Sequence, residues 1–203
     1  MIIGICGNIG AGKSTLIEIL QREKKYTPVY EIVEENPYLS DFYEDMKKWA
    51  FHSQLFFLIK RFDFLKRVNA SQGVTLEDRT IEEDVEIFAR NLHEMGYISS
   101  RDWQTYKSLF KTFSDHLPQP KGFVYLRASV PTLMNHVKKR GRNFENMISS
   151  EYLERLNDLY ERWVSHLNSP VLKIDCDKYD FVEFPQDRQN VVKEVSKFIE
   201  KLI

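Results

Sequence analysis

The run Gly7-Asn8-Ile9-Gly10-Ala11-Gly12-Lys13-Ser14-Thr15 has the residue types and spacing to hold nucleotide phosphates. Glycines let the backbone curl until successive N–H groups converge on phosphate oxygens. A helix starting at the end of the loop adds the positive end of its dipole. Lys13 is expected to reach the β- and γ-phosphates of ATP, and the Ser14 hydroxyl to ligate Mg²⁺. An incidental glycine-rich turn would not need the flanks found here. The apolar run Ile2-Ile3-Gly4-Ile5-Cys6 reads as a buried strand, and Leu16, Ile17, Ile19 and Leu20 form an apolar helical stripe.

Two charged groupings further along can act on the same phosphates. Asp78-Arg79-Thr80 follows the strand-like Val74-Thr75-Leu76-Glu77. Asp78 suits a metal ion, held directly or through water, and Arg79 suits the charge on a phosphoryl group in transfer. A surface ion pair is the plainer account of the two. Lys138-Lys139-Arg140-Gly141-Arg142 closes a helical segment, where cations complement the helix dipole and glycine ends the helix. In a chain with a phosphate loop, Arg140 and Arg142 are read instead as part of a lid, about residues 140–149, that closes over ATP and excludes water.

A phosphate loop does not name the acceptor. The Asn-Lys-x-Asp sequence expected of a GTPase does not occur. The stretch from Tyr30 to Tyr43 carries four acidic residues, Glu31, Glu34, Glu35 and Asp41, and no Lys or Arg. A phosphorylated acceptor would need arginines there, whereas a neutral hydroxyl that loses its proton benefits from a carboxylate within hydrogen-bond reach. Glu34 and Glu35 fit equally well as acidic residues before a helix that starts near Pro37.

These residues need a scaffold, and the alternation of strand-like and helical segments predicts an α/β fold with a five-stranded parallel sheet flanked by helices. Strands are expected at 2–6, 28–34, 73–77, 122–127 and 170–175. Helices are expected near 14–23, 37–47, 49–69, 80–95, 101–116, 130–140, 150–167 and 187–202. The site should lie off the carboxyl ends of the strands. No repeat, low-complexity tract or linker divides the 203 residues, so one domain over 1–203 is expected. Residues 49–68 are apolar on more than one face, as for core or for a helix-pairing surface between subunits.

A net charge of −1 and a pI near 6.5 argue against a nucleic-acid surface and for small-molecule partners. Cys6 and Cys176 read as small core residues in a reducing compartment, with no disulfide or zinc site. Neither a targeting segment nor a membrane-length apolar run is evident, so a soluble cytoplasmic protein is expected.

Taken together, the motifs resemble the deoxynucleoside kinases, and among them the bacterial deoxyadenosine/deoxyguanosine kinase branch. The resemblance covers nearly the whole chain. It rests on the phosphate loop, Glu31 through Asn36-Pro37-Tyr38 and Phe42-Tyr43, Trp49-Ala50-Phe51 with Gln54 and Arg61, Asp78-Arg79-Thr80 with Asp84, and Arg140-Gly141-Arg142 with Glu145. It implies a P-loop kinase fold with an arginine-bearing lid, ATP and Mg²⁺, a homodimer, and inhibition by a deoxynucleoside triphosphate. It also implies that Glu31 is the base for the 5′-hydroxyl and that Arg79 contacts that region and the phosphoryl group. Tyr43 and Glu145 would take the 3′-hydroxyl, Gln54 the base edge, with Arg61 and Asp84 completing a polar cluster beside it.

Three departures from the family pattern bear on these roles. Ile32 follows Glu31 where much of the family has proline, so Glu34 stays open as the base. His136 stands where several relatives carry another lid arginine, and Ser53 replaces an aromatic, leaving room suited to a purine. A thymidylate-type nucleoside monophosphate kinase and a non-catalytic nucleotide sensor are the rival readings.

Overall fold

β1 (Ile2–Gly7) is buried along its whole length, as expected of a run with Ile on both faces and a hydrogen-bonded neighbour on each edge. The computed structural model describes residues 1–30, 35–66, 73–142, 145 and 147–203. Around β1 stand β2 (Thr27–Val29), β3 (Thr75–Asp78), β4 (Gly122–Arg127) and β5 (Val171–Asp175), in the order β2-β3-β1-β4-β5. All four pairings are parallel, with Ile5 opposite Asp78 on one side and Val124 on the other. The chain leaves β1 toward β2 and later crosses from β3 to β4, so β1 and β3 flank the crevice where the connections diverge. Ligands of open parallel sheets bind at such a point.

α1 (Lys13–Lys24) follows β1 directly and buries Leu16, Ile17 and Leu20. Each such side chain contributes about 1.5–3 kcal/mol when removed from water. The first turn of α1 has no acidic residue and Gly12 offers no side-chain cap, so its leading N–H groups remain available to an anion. α2 (Leu39–Glu44) and α3 (Met46–Leu65) meet at Asp45. The Asp45 carboxylate accepts from the Lys48 N–H at 3.1 Å and so starts the second helix where the first ends.

One helix is expected over 80–95, but the chain forms three adjoining pieces: α4 (Ile81–Glu83), a π-helical segment (Asp84–Ala89) and α5 (Arg90–Glu94). α6 (Ser100–Ser114), α7 (Val130–Arg140), α8 (Ser150–Ser165) and α9 (Pro185–Glu200) complete the flanking layers. Ser99 and Ser149 cap α6 and α8, and Gly141, at φ +67°, ends α7.

The expected strand 28–34 is represented by Thr27–Val29; residues 31–34, with Glu31 and Glu34, lie outside the described residues, as do 67–69 of the expected helix 49–69. Among the described residues no helix is long and apolar enough to cross a membrane.

Candidate active site

The phosphate loop is shaped by its backbone. Gly7 has φ +147°, and a Cβ there would stand 2.6 Å from the Leu126 carbonyl oxygen; at Gly10, φ +84°, it would stand 2.9 Å from the Leu133 carbonyl oxygen. Neither position admits a side chain. Lys13 folds over the loop, its Nζ donating to the Gly7 and Asn8 carbonyls at 2.9 and 3.1 Å. Asn8 turns inward, giving Nδ2 to the Leu153 carbonyl at 2.9 Å and to Asn157 Oδ1 at 2.8 Å, while its own Oδ1 accepts the Ile9 N–H at 2.7 Å. From α7, the His136 ring holds the Gly10 carbonyl through Nδ1 at 2.8 Å. His136 thus braces the loop, a contact its place in the chain did not announce.

At the end of β3, Ser14 Oγ donates to Asp78 Oδ2 at 2.5 Å. The other carboxylate oxygen, Oδ1, is buried with no hydrogen-bond partner among the described residues. One hydroxyl and one carboxylate with a spare oxygen fit a Mg²⁺ that takes its remaining ligands from water and phosphate. Arg79 has φ +64°, a left-handed conformation that non-glycine residues adopt at a cost. Its N–H donates to the Ile5 carbonyl at 3.2 Å, and its guanidinium lies 4.0 Å from the centre of the Phe88 ring, which the π-helical segment presents.

Behind this strand end lies a buried charged layer. Arg61 Nε donates to Asp84 Oδ2 at 2.7 Å, and its Nη1 donates to the Arg79 carbonyl, so a cation from α3 supports the backbone that carries Arg79. Glu83 accepts from the N–H of Thr80 at 2.7 Å, the N–H of Gly7 at 3.3 Å and the hydroxyl of Tyr160 at 2.8 Å. Burial pushes its carboxyl up to about 7, against the opposing pull of Lys13 and Arg79. Burial also raises Glu77 well above the usual carboxylate range, with Arg61 opposing.

The loop and strand end open onto a cavity of about 440 Å³ whose walls include Tyr43, Gln54, Arg79, Asp84, Arg140, Arg142, Glu145 and Tyr152. Ile9, Gly10, Gly12, Lys13, Ser14, Thr15 and Asp78 line its end at the glycine-rich loop and the close of β3. Of the residues singled out from the sequence, Arg61 does not line this cavity; it stands behind Asp84, whose ion pair takes its guanidinium. Gly7, Asn8 and Ala11 do not line it either, and act through the shape of the loop. Ser53 is fully buried and its hydroxyl accepts from Asn36 Nδ2 at 3.1 Å, so its small side chain adds no room to the cavity.

Glu145 is buried, and Arg140 holds it with two bonds, Nε to Oε2 at 2.9 Å and Nη2 to Oε1 at 2.6 Å. Arg142 Nη1 approaches the same carboxylate at 3.6 Å. Arg140 and Arg142 thus gather on Glu145 at the cavity wall; residues 143, 144 and 146 of the expected lid lie outside the described residues.

A second cavity of about 700 Å³ lies on the other side of the loop, between α7 and the segment after β5, with His136, Asp177 and Phe181 on its walls. Asp177 clasps the start of α7, accepting from Thr132 Oγ1 at 2.6 Å and from the N–H and hydroxyl of Ser129. Although desolvation works the other way, these bonds hold its carboxyl below its ordinary value.

Residues 3–200 match the family model described as "Deoxynucleoside kinase". The chain belongs to the deoxynucleoside kinase family. It is similar to the deoxyadenosine/deoxycytidine kinase of Bacillus subtilis (strain 168), 35% identical over 201 residues that make up 98% of this chain and 93% of that protein. Similarity extends to the deoxyguanosine kinase of the same organism, 34% identical over 202 residues and 97% of each chain. Among solved structures, a deoxyadenosine kinase from M. mycoides with bound dATP superposes with a TM-score of 0.83 at 30% identity, covering 97% of this chain and 99% of that one. For a deoxynucleoside kinase the layout is coherent: one phosphate-binding loop, one strand end with acid and arginine, and one cavity joining them to polar side chains of α2, α3 and the region after α7.

Sequence reasoning missed Glu83, Phe88 and Tyr152 at this site. Glu83 had a local signal, because Thr80-x-x-Glu83 is a capping-box pattern and the box forms. Phe88 had none, since its position under Arg79 depends on the π-helical segment.

Proposed function

We propose that the chain transfers the γ-phosphoryl group of ATP to the 5′-hydroxyl of a 2′-deoxynucleoside, with deoxyadenosine and deoxyguanosine preferred, in nucleotide salvage by one domain spanning 1–203. The observation that carries this is the continuity of the phosphate loop, the Asp78-Arg79 strand end and a cavity of about 440 Å³, within the size range of small-molecule sites. Relatives named as deoxyadenosine, deoxyguanosine and deoxycytidine kinases support the acceptor class.

In this reading the 5′-oxygen bonds to the γ-phosphorus, the bridge to the β-phosphate breaks, ADP leaves, and the hydroxyl proton passes to a carboxylate, assigned to Glu31. Arg79 balances charge on the phosphoryl group, and Lys13 moves from the loop carbonyls to the phosphates. Mg²⁺, held by Ser14 and Asp78, would supply charge neutralisation at the phosphates. Tyr43 and Glu145 hold the sugar hydroxyl, and Gln54 and Asp84 meet the base, with Arg61 fixing Asp84 from behind. Arg140 and Arg142 close over ATP as a lid once substrate releases them from Glu145. The second cavity, lined by His136, suits the base of ATP.

A homodimer through α3 fits the exposed Ile59 and Phe64 on that helix. Sedimentation at micromolar concentration tests it. The decisive assay measures initial rates with ATP across the four natural deoxynucleosides and their monophosphates. Turnover of deoxyadenosine or deoxyguanosine is expected, and none of the monophosphates. Activity on monophosphates would move the chain to the monophosphate kinases; binding without transfer on any acceptor would make it a sensor.

A further inference from the structure

A capping box explains only part of what Glu83 does. The box requires one carboxylate oxygen, Oε2, which accepts the Thr80 N–H at 2.7 Å. The other oxygen, Oε1, serves two partners far away in the chain, the Gly7 N–H of β1 at 3.3 Å and the Tyr160 hydroxyl of α8 at 2.8 Å. Glu83 is fully buried, so these bonds form where water cannot replace them. A carboxyl group is the one common side chain that can accept all three when ionised.

Gly7 is where this matters most. Its N–H is held by Glu83 and its carbonyl by Lys13 Nζ at 2.9 Å, so opposite charges fix the two polar groups of one residue. When Lys13 turns to a phosphate, the carbonyl loses its partner and the N–H bond to Glu83 is what remains. The same carboxylate holds Thr80, the residue after Arg79, whose left-handed backbone needs support on both sides. We propose that Glu83 is a positioning residue for nucleotide binding, its carboxylate locking the entry of the phosphate loop to the Arg79 end of β3 so that the loop keeps its shape once Lys13 is engaged by phosphate.

The inference rests on the reading above only in taking ATP as the loop's ligand. Because its test reads binding rather than turnover, a wrong acceptor assignment would leave the result unchanged. Groups facing Glu83 are Lys13 from α1, Cys6 from β1, Glu77 from β3, Arg79 at its end and Tyr160 from α8. The experiment is calorimetric titration of the full chain with MgATP from pH 6 to 8.5, on the parent, Glu83→Gln and Tyr160→Phe, each checked for cooperative unfolding.

Glu83→Gln, which points an NH₂ group toward backbone N–H donors, should weaken MgATP at pH 8 by about ten-fold, the scale of hydrogen bonds to a charged group, with deoxynucleoside affinity changed less than about two-fold. Tyr160→Phe removes one donor to the carboxylate and leaves the acid in place. Its loss of MgATP affinity on the acid side should begin at higher pH than in the parent, by about half a unit or more. A merely structural contact would not move that midpoint. Unchanged MgATP affinity in Glu83→Gln, or an unmoved midpoint in Tyr160→Phe, overturns the proposal; should Glu83→Gln fail to fold, the Tyr160→Phe midpoint decides alone.

Discussion

On the proposed donor side of the cavity, residues 7–14 shape the site mainly with backbone, whereas on the proposed acceptor side Tyr43, Gln54, Asp84 and Glu145 shape it with side chains from four separate parts of the chain. The donor side depends on glycine torsions and N–H groups that no rotamer can alter. Acceptor-side residues are held by charge pairs, Arg61 with Asp84 and Arg140 with Glu145. A phosphate is the same in every substrate, so fixed backbone can recognise it. Nucleosides differ at the base, and side chains can change without rebuilding the sheet.

Arg79 sits on the boundary between the two sides and is expected to give the largest effect. Arg79→Lys should lower kcat by about 10³-fold or more, because one ammonium cannot reproduce a planar fork on a transferring phosphoryl group. Single-turnover rates check it, and a loss under about ten-fold would mean that charge alone matters there. Next, Asp84→Asn removes the carboxylate facing buried Arg61 and should cost about 3–5 kcal/mol in denaturant unfolding. A cost near zero would show the acceptor side to be less dependent on that pair than its geometry implies.

The pH response separates the sides further. Burial raises Glu83 from 4.5 to about 7, so the folded state binds more protons than the unfolded one between those values. Its stabilising contribution is therefore complete below about 4.5 and is lost as pH rises through about 7. Relative to Glu83→Gln, the parent should lose on the order of 3 kcal/mol across that interval, read from unfolding midpoints at successive pH values. Tyr43→Phe is a smaller, acceptor-side change, expected to raise the deoxynucleoside KM about ten-fold and leave MgATP affinity unaltered. Smallest of all should be Glu77→Gln. Burial raises this carboxyl and so disfavours its charge, and an amide of the same shape carries none, so stability should stay within about 0.5 kcal/mol.

The same division explains what could be read in advance. The phosphate loop was legible because its glycines, lysine and serine are contiguous and its flanks carry strand and helix patterns. Asp78 and Arg79 were legible as neighbours at a strand end. Gln54 and Tyr43 could be singled out only by their family register, since a polar or aromatic residue on an amphipathic helix has many possible faces. Arg61 is singled out by the same register as one half of a polar cluster with Asp84, and its guanidinium bonds Asp84 and the Arg79 carbonyl. Periodicity over 80–95 indicates a helix but not its π-helical interruption, because Ile81, Val85, Phe88 and Leu92 keep the three-and-four spacing of an unbroken α-helix.

By itself the sequence determined the strand–loop–helix proposed to hold phosphate, the parallel α/β sheet and the acid–arginine strand end, all of which rest on local backbone preference and short-range apolar pattern. Tertiary structure alone decided that Glu83, beyond its local bond to Thr80, reaches Gly7 and Tyr160, that His136 braces Gly10, and that Arg140 is held by Glu145. Those contacts depend on where whole elements come to rest against the sheet. Their partners' distances are set by packing, which residue order constrains only through the complete fold.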